Sequence, residues 1–167
     1  MDAFVQPLYE LADFDAIIRQ LKKPGIVQVS GCLDSQKAHF TNGLLREFPF
    51  RLIVAENDLK AKAFYEDFRL YDPEVLYYPA RDLIFYQADI HGNLLTRQRI
   101  QVLHALLERE EVTIVTSIDS CLDCLVPLAV WKEKVIKIRN DSEIDLDRMK
   151  RHLVELGYEW AAQVEVP

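Results

Sequence analysis

Short apolar runs alternate with stretches of helical period along the first three quarters of the chain. Ile26-Val-Gln-Val-Ser30, Arg51-Leu-Ile-Val-Ala55, Val75-Leu-Tyr-Tyr78 and Val112-Thr-Ile-Val-Thr116 have the length and side-chain shape of buried strands. Between them, apolar positions recur at helical spacing. Ile17, Ile18 and Leu21 follow Asp13, a natural helix cap, and stop at Pro24-Gly25. Phe40, Leu44 and Leu45 mark a second helix, the span from about Asp58 to Tyr71 a third, and Ile100, Leu103, Leu106 and Leu107 a fourth. Pro7 suits the first turn of a short helix at the start. Strands that alternate with helices predict right-handed crossovers and an α/β fold, a parallel sheet covered on both faces by helices.

The pattern changes twice. Residues from Pro79 to Thr96 are the least regular part of this domain and hold Asp82, Phe85, Tyr86, Asp89 and His91-Gly92. Their aromatics suit packing onto the sheet, and His91 reads as a turn residue before Gly92. After Pro127, Lys132, Lys134, Lys137 and Arg139 interleave with Trp131, Val135, Ile136 and Ile138, which predicts a strand with one solvated face. A helix beginning at Asp141-Ser142 follows, with Leu146, Met149, Leu153 and Leu156 as its stripe and Gly157 as its C-terminal cap. Trp160 to Val166 reads as another strand. The expected division is therefore a domain over 1–126 and the beginning of a smaller α+β subdomain over 127–167, with the natural polypeptide continuing further.

Composition narrows the partners. Half of the 167 residues are apolar, enough for a packed core, and the net charge of −7 argues against a surface that grips DNA unaided. No run approaches the roughly 18 apolar residues of a membrane span and no signal-peptide pattern opens the chain, so a cytoplasmic location is expected. Cys32, Cys121 and Cys124 form an odd set without a disulfide framework. Cys121-Leu-Asp-Cys124 has the spacing of half a zinc site, but no second pair completes it, and two small side chains on one face of a short helix are the simpler reading.

The chemistry-bearing motif is Gly31-Cys-Leu-Asp-Ser-Gln-Lys-Ala38. It falls between an expected strand and an expected helix, where G-x-x-x-x-G-K-[ST] cradles nucleotide phosphates. Gly31 and Lys37 are in place, whereas the second glycine is Gln36 and the magnesium-binding hydroxyl is Ala38. A glutamine side chain obstructs the close approach of backbone to phosphate, and alanine offers no oxygen to a metal. Ser35 lies on the wrong side of the lysine to substitute. Asp34 adds a carboxylate that would oppose a phosphate ~4 Å away by about 4 kcal/mol at an effective dielectric of about 20, and by less where water screens the pair. An NTPase would also need a carboxylate at a strand end to hold Mg²⁺. Glu56 and Asp58 are the candidates, although acidic residues are equally favoured at a helix N-terminus. A third reading, DNA binding through the loop around Phe85 and Tyr86, rests on base stacking alone.

Four segments resemble the N-terminal, UvrB-like region of the bacterial transcription-repair coupling factors (Mfd), and together they span nearly the whole chain. Gln28 to Ala38 is similar to a degenerate version of UvrB's ATP loop. Leu52-Ile-Val-Ala-Glu-Asn-Asp-Leu-Lys-Ala61, with Glu56, Asn57 and Asp58, resembles the next helicase-type motif. Val112 to Cys121 resembles the strand and turn that close the first subdomain, and Leu153 to Tyr158 with Gln163 to Pro167 the beginning of the second. The compact stretch Tyr77 to His91 lacks the long Tyr-rich hairpin of UvrB, and the loop lacks UvrB's nucleotide-binding residues; both departures agree with the coupling factors.

The resemblance implies a RecA-like domain with a degenerate P-loop and no catalysis or cofactor in this part. It implies a longer parent that displaces stalled RNA polymerase by Mg-ATP-driven translocation on DNA and recruits UvrA through the second subdomain. On that subdomain's helix, Arg148, Lys150 and Arg151 are candidates for facing a partner. The alternative is a small P-loop NTPase or nucleotide-responsive module.

Overall fold

The computed structural model describes residues 2–80, 89–136, 138, 140–141 and 143–161. Asp82, Phe85, Tyr86, Lys137, Arg139, Ser142 and residues 162–167, with the roles expected for them, lie outside the described residues. The chain divides into two compact units, Met1–Asp123 and Cys124–Pro167.

The first unit is built on a three-stranded sheet in the order β1-β3-β2, with β1 at Phe50–Ala55, β2 at Leu76–Tyr78 and β3 at Val112–Ser117. All pairing is parallel: Leu52 lies beside Ile114 on one edge of β3, and Leu76 beside Ile114 on the other. Parallel neighbours need crossovers, and two helices supply them: α4, Asp58–Phe68, between β1 and β2, and α5, Asp89–Glu108, between β2 and β3. The first crossover steps over β3 and the second steps back, so right-handed connections put the helices on opposite faces. The packing agrees. Ala61 and Phe68 of α4 meet Val115, Ile53 and Tyr77, whereas Val102 and Ala105 of α5 meet Val112, Ile114 and Tyr78. These sets alternate along each strand, as pleating requires.

Helix α1, Asp2–Val5, a 3₁₀ turn at Gln6–Glu10 that starts around Pro7, and α2, Phe14–Leu21, precede α3, Asp34–Leu45. Val5, Leu8, Phe14 and Ile18 close a second small core against Phe40 and Leu44 of α3. Asp13 stands at the cap position of α2 without making a capping hydrogen bond. Ala38 of α3 joins the α4 core instead, which fixes the start of α3 against the sheet.

Three expectations are corrected here. Ile26–Ser30 is not a strand, and Ile26 is 99% exposed. A strand needs a neighbour for its N–H and C=O groups; both edges of β3 are taken, and the run pairs with neither outer strand. Strand β1 is not buried on both sides: Phe50, Leu52 and Val54 form an exposed row, with Leu52 61% exposed, because α5 covers β2 and β3 but not β1. His91 and Gly92 are not a turn but part of α5. That helix buries Arg99, Val102 and Ala105, while Ile100 and Leu106 of the expected stripe are exposed.

In the second unit, a helix, α7 (Leu128–Lys134), takes the first part of the strand expected over 131–139, and Val135, Ile136 and Ile138 have no regular structure. Pro127 directly before the first turn and lysines in the last turn are helix signals that outweigh the short alternation. Helix α8 runs from Leu146 to Glu155, with Asp145 accepting the N–H groups of Asp147 and Arg148 at 3.0 and 3.1 Å. It therefore starts later than Asp141. Gly157 ends it as expected, at φ +92°, with Tyr158 N–H reaching Leu153 O and Gly157 N–H reaching Val154 O. Trp160 and Ala161 have no regular structure. Among the described residues no helix is long and apolar enough to cross a membrane.

Candidate functional site

The residues of the two nucleotide-type motifs lie toward the carboxyl edge of the sheet, where ligands bind in open α/β folds. Gly31 has φ +90°, a conformation that suits glycine, and Leu33 stands at the cap position of α3, so the helix begins at Asp34, three residues before Lys37. Two donors of this segment have side-chain partners within the chain. Gln36 folds back so that its Oε1 accepts the Leu33 N–H at 3.2 Å. Lys37 Nζ donates to Asp34 Oδ1 at 2.6 Å, one helical turn away. That hydrogen bond, then the Lys37 charge, holds the Asp34 carboxyl below its ordinary range, with a smaller contribution from Lys60. Ala38 turns its methyl into the core with Ala61, Phe68 and Val115. Ser35 is exposed.

The second motif is engaged in the same way. Asn57 caps α4 through its side-chain oxygen, which accepts from Lys60 N–H at 2.9 Å. Glu56 pairs with the Lys60 ammonium, which lowers the Glu56 pKa and raises that of Lys60. Asp58 Oδ1 accepts from Ala80 N–H at 3.1 Å and from the Ser117 hydroxyl at 3.4 Å. Its backbone carbonyl accepts from Tyr77 Oη at 3.3 Å; burial, and then the nearby Asp58 carboxylate, push the Tyr77 hydroxyl pKa well above its ordinary value. Asp58 thus ties together the exits of all three strands.

Several groups that a Mg-nucleotide would use in such a loop have partners within the chain. The Leu33 N–H and the Lys37 ammonium meet side chains of α3, Ala38 is packed in the core, and Glu56 and Asp58 are engaged by Lys60, Ala80 and Ser117. No three His, Cys, Asp or Glu side chains converge as metal ligands among the described residues. Cys121 ends the short helix α6, Ile118–Cys121, and is exposed; Cys124 lies beyond the helix and is exposed too, so the pair does not share a buried helical face.

A cavity of about 350 Å³ lies at the opposite, amino edge, lined by Arg51, Asp72, Glu74, Arg109, Glu111 and Thr113. Arg51 is largely buried there, 3.7 Å from Asp72 and 3.6 Å from Glu111, and it donates to Thr113 Oγ1 at 3.2 Å and Arg46 O at 3.3 Å. Arg109 meets Glu74 at 3.1 Å. Two guanidinium groups thus face three carboxylates, each of which is paired.

Arg148, Lys150 and Arg151 are all exposed on α8. Lys150 Nζ is 3.8 Å from Asp147 and 5.4 Å from the Trp160 ring centroid, and Arg151 donates to Asp147 O at 3.3 Å. Sequence reasoning missed Arg99. It is buried at the carboxyl edge, 2.8 Å from Asp123, donates to Pro79 O at 2.7 Å, and lies over the Tyr78 ring at 4.2 Å. An arginine inside an amphipathic helix is an ordinary surface residue by pattern, and none of these partners is a local neighbour in sequence.

Comparison with known proteins follows this geometry. No family model matches the chain. It is 28% identical over 172 aligned positions to the transcription-repair-coupling factor of Bacillus subtilis, covering 100% of this chain and 14% of that protein. It is 29% identical over 143 positions to the UvrABC system protein B of Treponema denticola, covering 86% of this chain and 20% of that protein. A coupling factor of Staphylococcus epidermidis is 26% identical over 135 positions, covering 79% of the chain and 12% of the relative. The chain therefore spans between about an eighth and a fifth of these relatives. It is 31% identical over 129 positions to the UvrABC system protein B of Anaplasma phagocytophilum, covering 68% of this chain and 20% of that protein, so it belongs to the UvrB-like family, with similarity to the coupling factors over its whole length.

Proposed function

We propose that this chain is a non-catalytic scaffold and recruitment module of transcription-coupled DNA repair. The observation that carries the reading is the self-occupied loop. Asp34 holds Lys37, Gln36 holds the Leu33 N–H, and Ala38 is packed inward, so the positions that bind nucleotide in a working phosphate loop serve the fold instead. A degenerate, RecA-like P-loop domain is the fold reading that accommodates the parallel sheet and the crossovers on both faces. Similarity to proteins named as coupling factors and as UvrB supports the repair context.

In this reading, Mg-ATP, DNA and RNA polymerase belong to other parts of a longer polypeptide, which works as a DNA translocase in the cytoplasm. The second unit begins the surface that meets UvrA. Exposure of Arg148, Lys150 and Arg151 along α8 suits that role. Capture of UvrA by the full-length protein tests it. UvrA is retained by the unaltered protein, and replacing the three basic residues by glutamate weakens retention by about tenfold or more, as expected for a charged contact surface. Failure to retain UvrA, or retention indifferent to the three replacements, removes these assignments.

A further inference from the structure

Two stretches of the first unit leave the sheet at its carboxyl edge within reach of one side chain. Strand β2 ends at Tyr78 and passes through Pro79 and Ala80; β3 ends at Ser117 and passes through α6 to Asp123, the last residue of the unit. Arg99 of α5 touches both. Its Nη1 donates to Pro79 O at 2.7 Å and stands 2.8 Å from Asp123 Oδ2, and its guanidinium covers the Tyr78 ring at 4.2 Å. Arg99 is 6% exposed, whereas the Asp123 side chain is 29% exposed. A buried arginine is costly without a carboxylate, and here one nitrogen, Nη1, meets both the carboxylate and the Pro79 carbonyl.

We infer that Arg99 is a two-exit clamp, a positioning residue that makes release of the β3 exit at 118–123 and release of the β2 exit at 78–80 a single event. Two further links lie along the same exits: Thr116 Oγ1 donates to Tyr78 O at 2.9 Å, and Asp58 accepts from both Ala80 and Ser117. The Arg99 link reaches Asp123, where the polypeptide passes into the second unit. Loss of the Asp123 carboxylate removes the ion pair that holds the guanidinium beside Pro79 and Tyr78. The effect of a change at residue 123 therefore travels to the other exit, 44 positions earlier in the sequence at Pro79.

Hydrogen–deuterium exchange on this chain and on Asp123→Asn tests the clamp. The expected result is exchange faster by on the order of tenfold to a hundredfold at the amides of Ser120 and Leu122 and also at Ala80, with Ala61 to Phe68 of α4 unchanged. Arg99→Gln gives the same pair of accelerations, and Arg99→Lys, which keeps the charge but not the planar group over the Tyr78 ring, falls between Arg99→Gln and the unaltered chain. Acceleration confined to 118–123, no acceleration, or uniform acceleration that includes α4 overturns the inference. The Asp123→Asn variant, altered at a half-exposed position, keeps the test decisive if Arg99→Gln does not fold.

Discussion

Ala38 occupies the position at which a phosphate loop carries its hydroxyl, and its methyl lies against Ala61, Phe68 and Val115. A hydroxyl placed there meets no acceptor in that cluster, so Ala38→Ser is expected to lower stability by about 1–3 kcal/mol and to confer no magnesium-dependent binding. Chemical denaturation reads the first effect and titration with Mg-ATP the second. Asp58 is the opposite case, a carboxylate at a motif position whose oxygen serves two donors. Asp58→Ala strands the Ala80 N–H, while the Ser117 hydroxyl keeps Ser120 Oγ at 2.9 Å, at an expected cost of roughly 1–3 kcal/mol; Asp58→Asn keeps an acceptor and costs less. Equal losses in denaturant midpoint for the two variants would contradict this account of Asp58. Tyr77 adds a pH dependence. Its folded-state pKa is raised above that of the unfolded chain, so its contribution is fully present below about pH 10 and is lost as pH rises further. Asp34 and Glu56, lowered by Lys37 and Lys60, act at the other end: what they contribute is present above the ordinary carboxylate range and is lost as pH falls through their folded values. Thermal melts from pH 8 to 11 on the unaltered chain and on Tyr77→Phe check the alkaline limb, which should be shallower in the variant.

Among the elements, those defined by local pattern were legible in the sequence and those defined by a neighbour were not. The two six-residue strands, Phe50–Ala55 and Val112–Ser117, match their apolar runs closely, and α4 begins where Asn57 and Asp58 signal a cap. Gly157 likewise announced the end of α8. Ile26–Ser30 has the same apolar character as β1, yet it forms no ladder, because strand pattern describes a side-chain preference and not the presence of a partner. The uncovered row on β1 escaped for the same reason: whether Phe50, Leu52 and Val54 are covered depends on where α5 packs. In the site, the Asp34–Lys37 pair is a helical neighbour contact and could be read from spacing. The contacts of Asp58 with residues 80 and 117, and of Arg99 with 79 and 123, are tertiary and left no periodic trace. The asymmetry of β1 and β3 predicts unequal sensitivity. Val115→Ala, in the middle of the fully buried strand, is expected to cost about 2–3 kcal/mol, whereas Leu52→Thr, on the exposed row, stays within about 1 kcal/mol. Denaturant midpoints for the two variants distinguish these outcomes.

On the scale of the whole molecule, the polar side chains at the sheet's carboxyl edge work for the fold. The N-terminus of α3, the start of α4 and the exits of β2 and β3 converge there, and in each a polar group takes a partner from within the chain. In the proposed scaffold function, the loop at Gly31–Ala38 is assigned no nucleotide. Calorimetric titration of the 167-residue chain with Mg-ATP and Mg-ADP, with UvrB as the positive control, tests that assignment most directly. The account predicts no heat of binding up to millimolar nucleotide, in the unaltered chain and in Lys37→Ala alike. Micromolar binding that disappears in Lys37→Ala would contradict it, and would make the loop at Gly31–Ala38 a working nucleotide site.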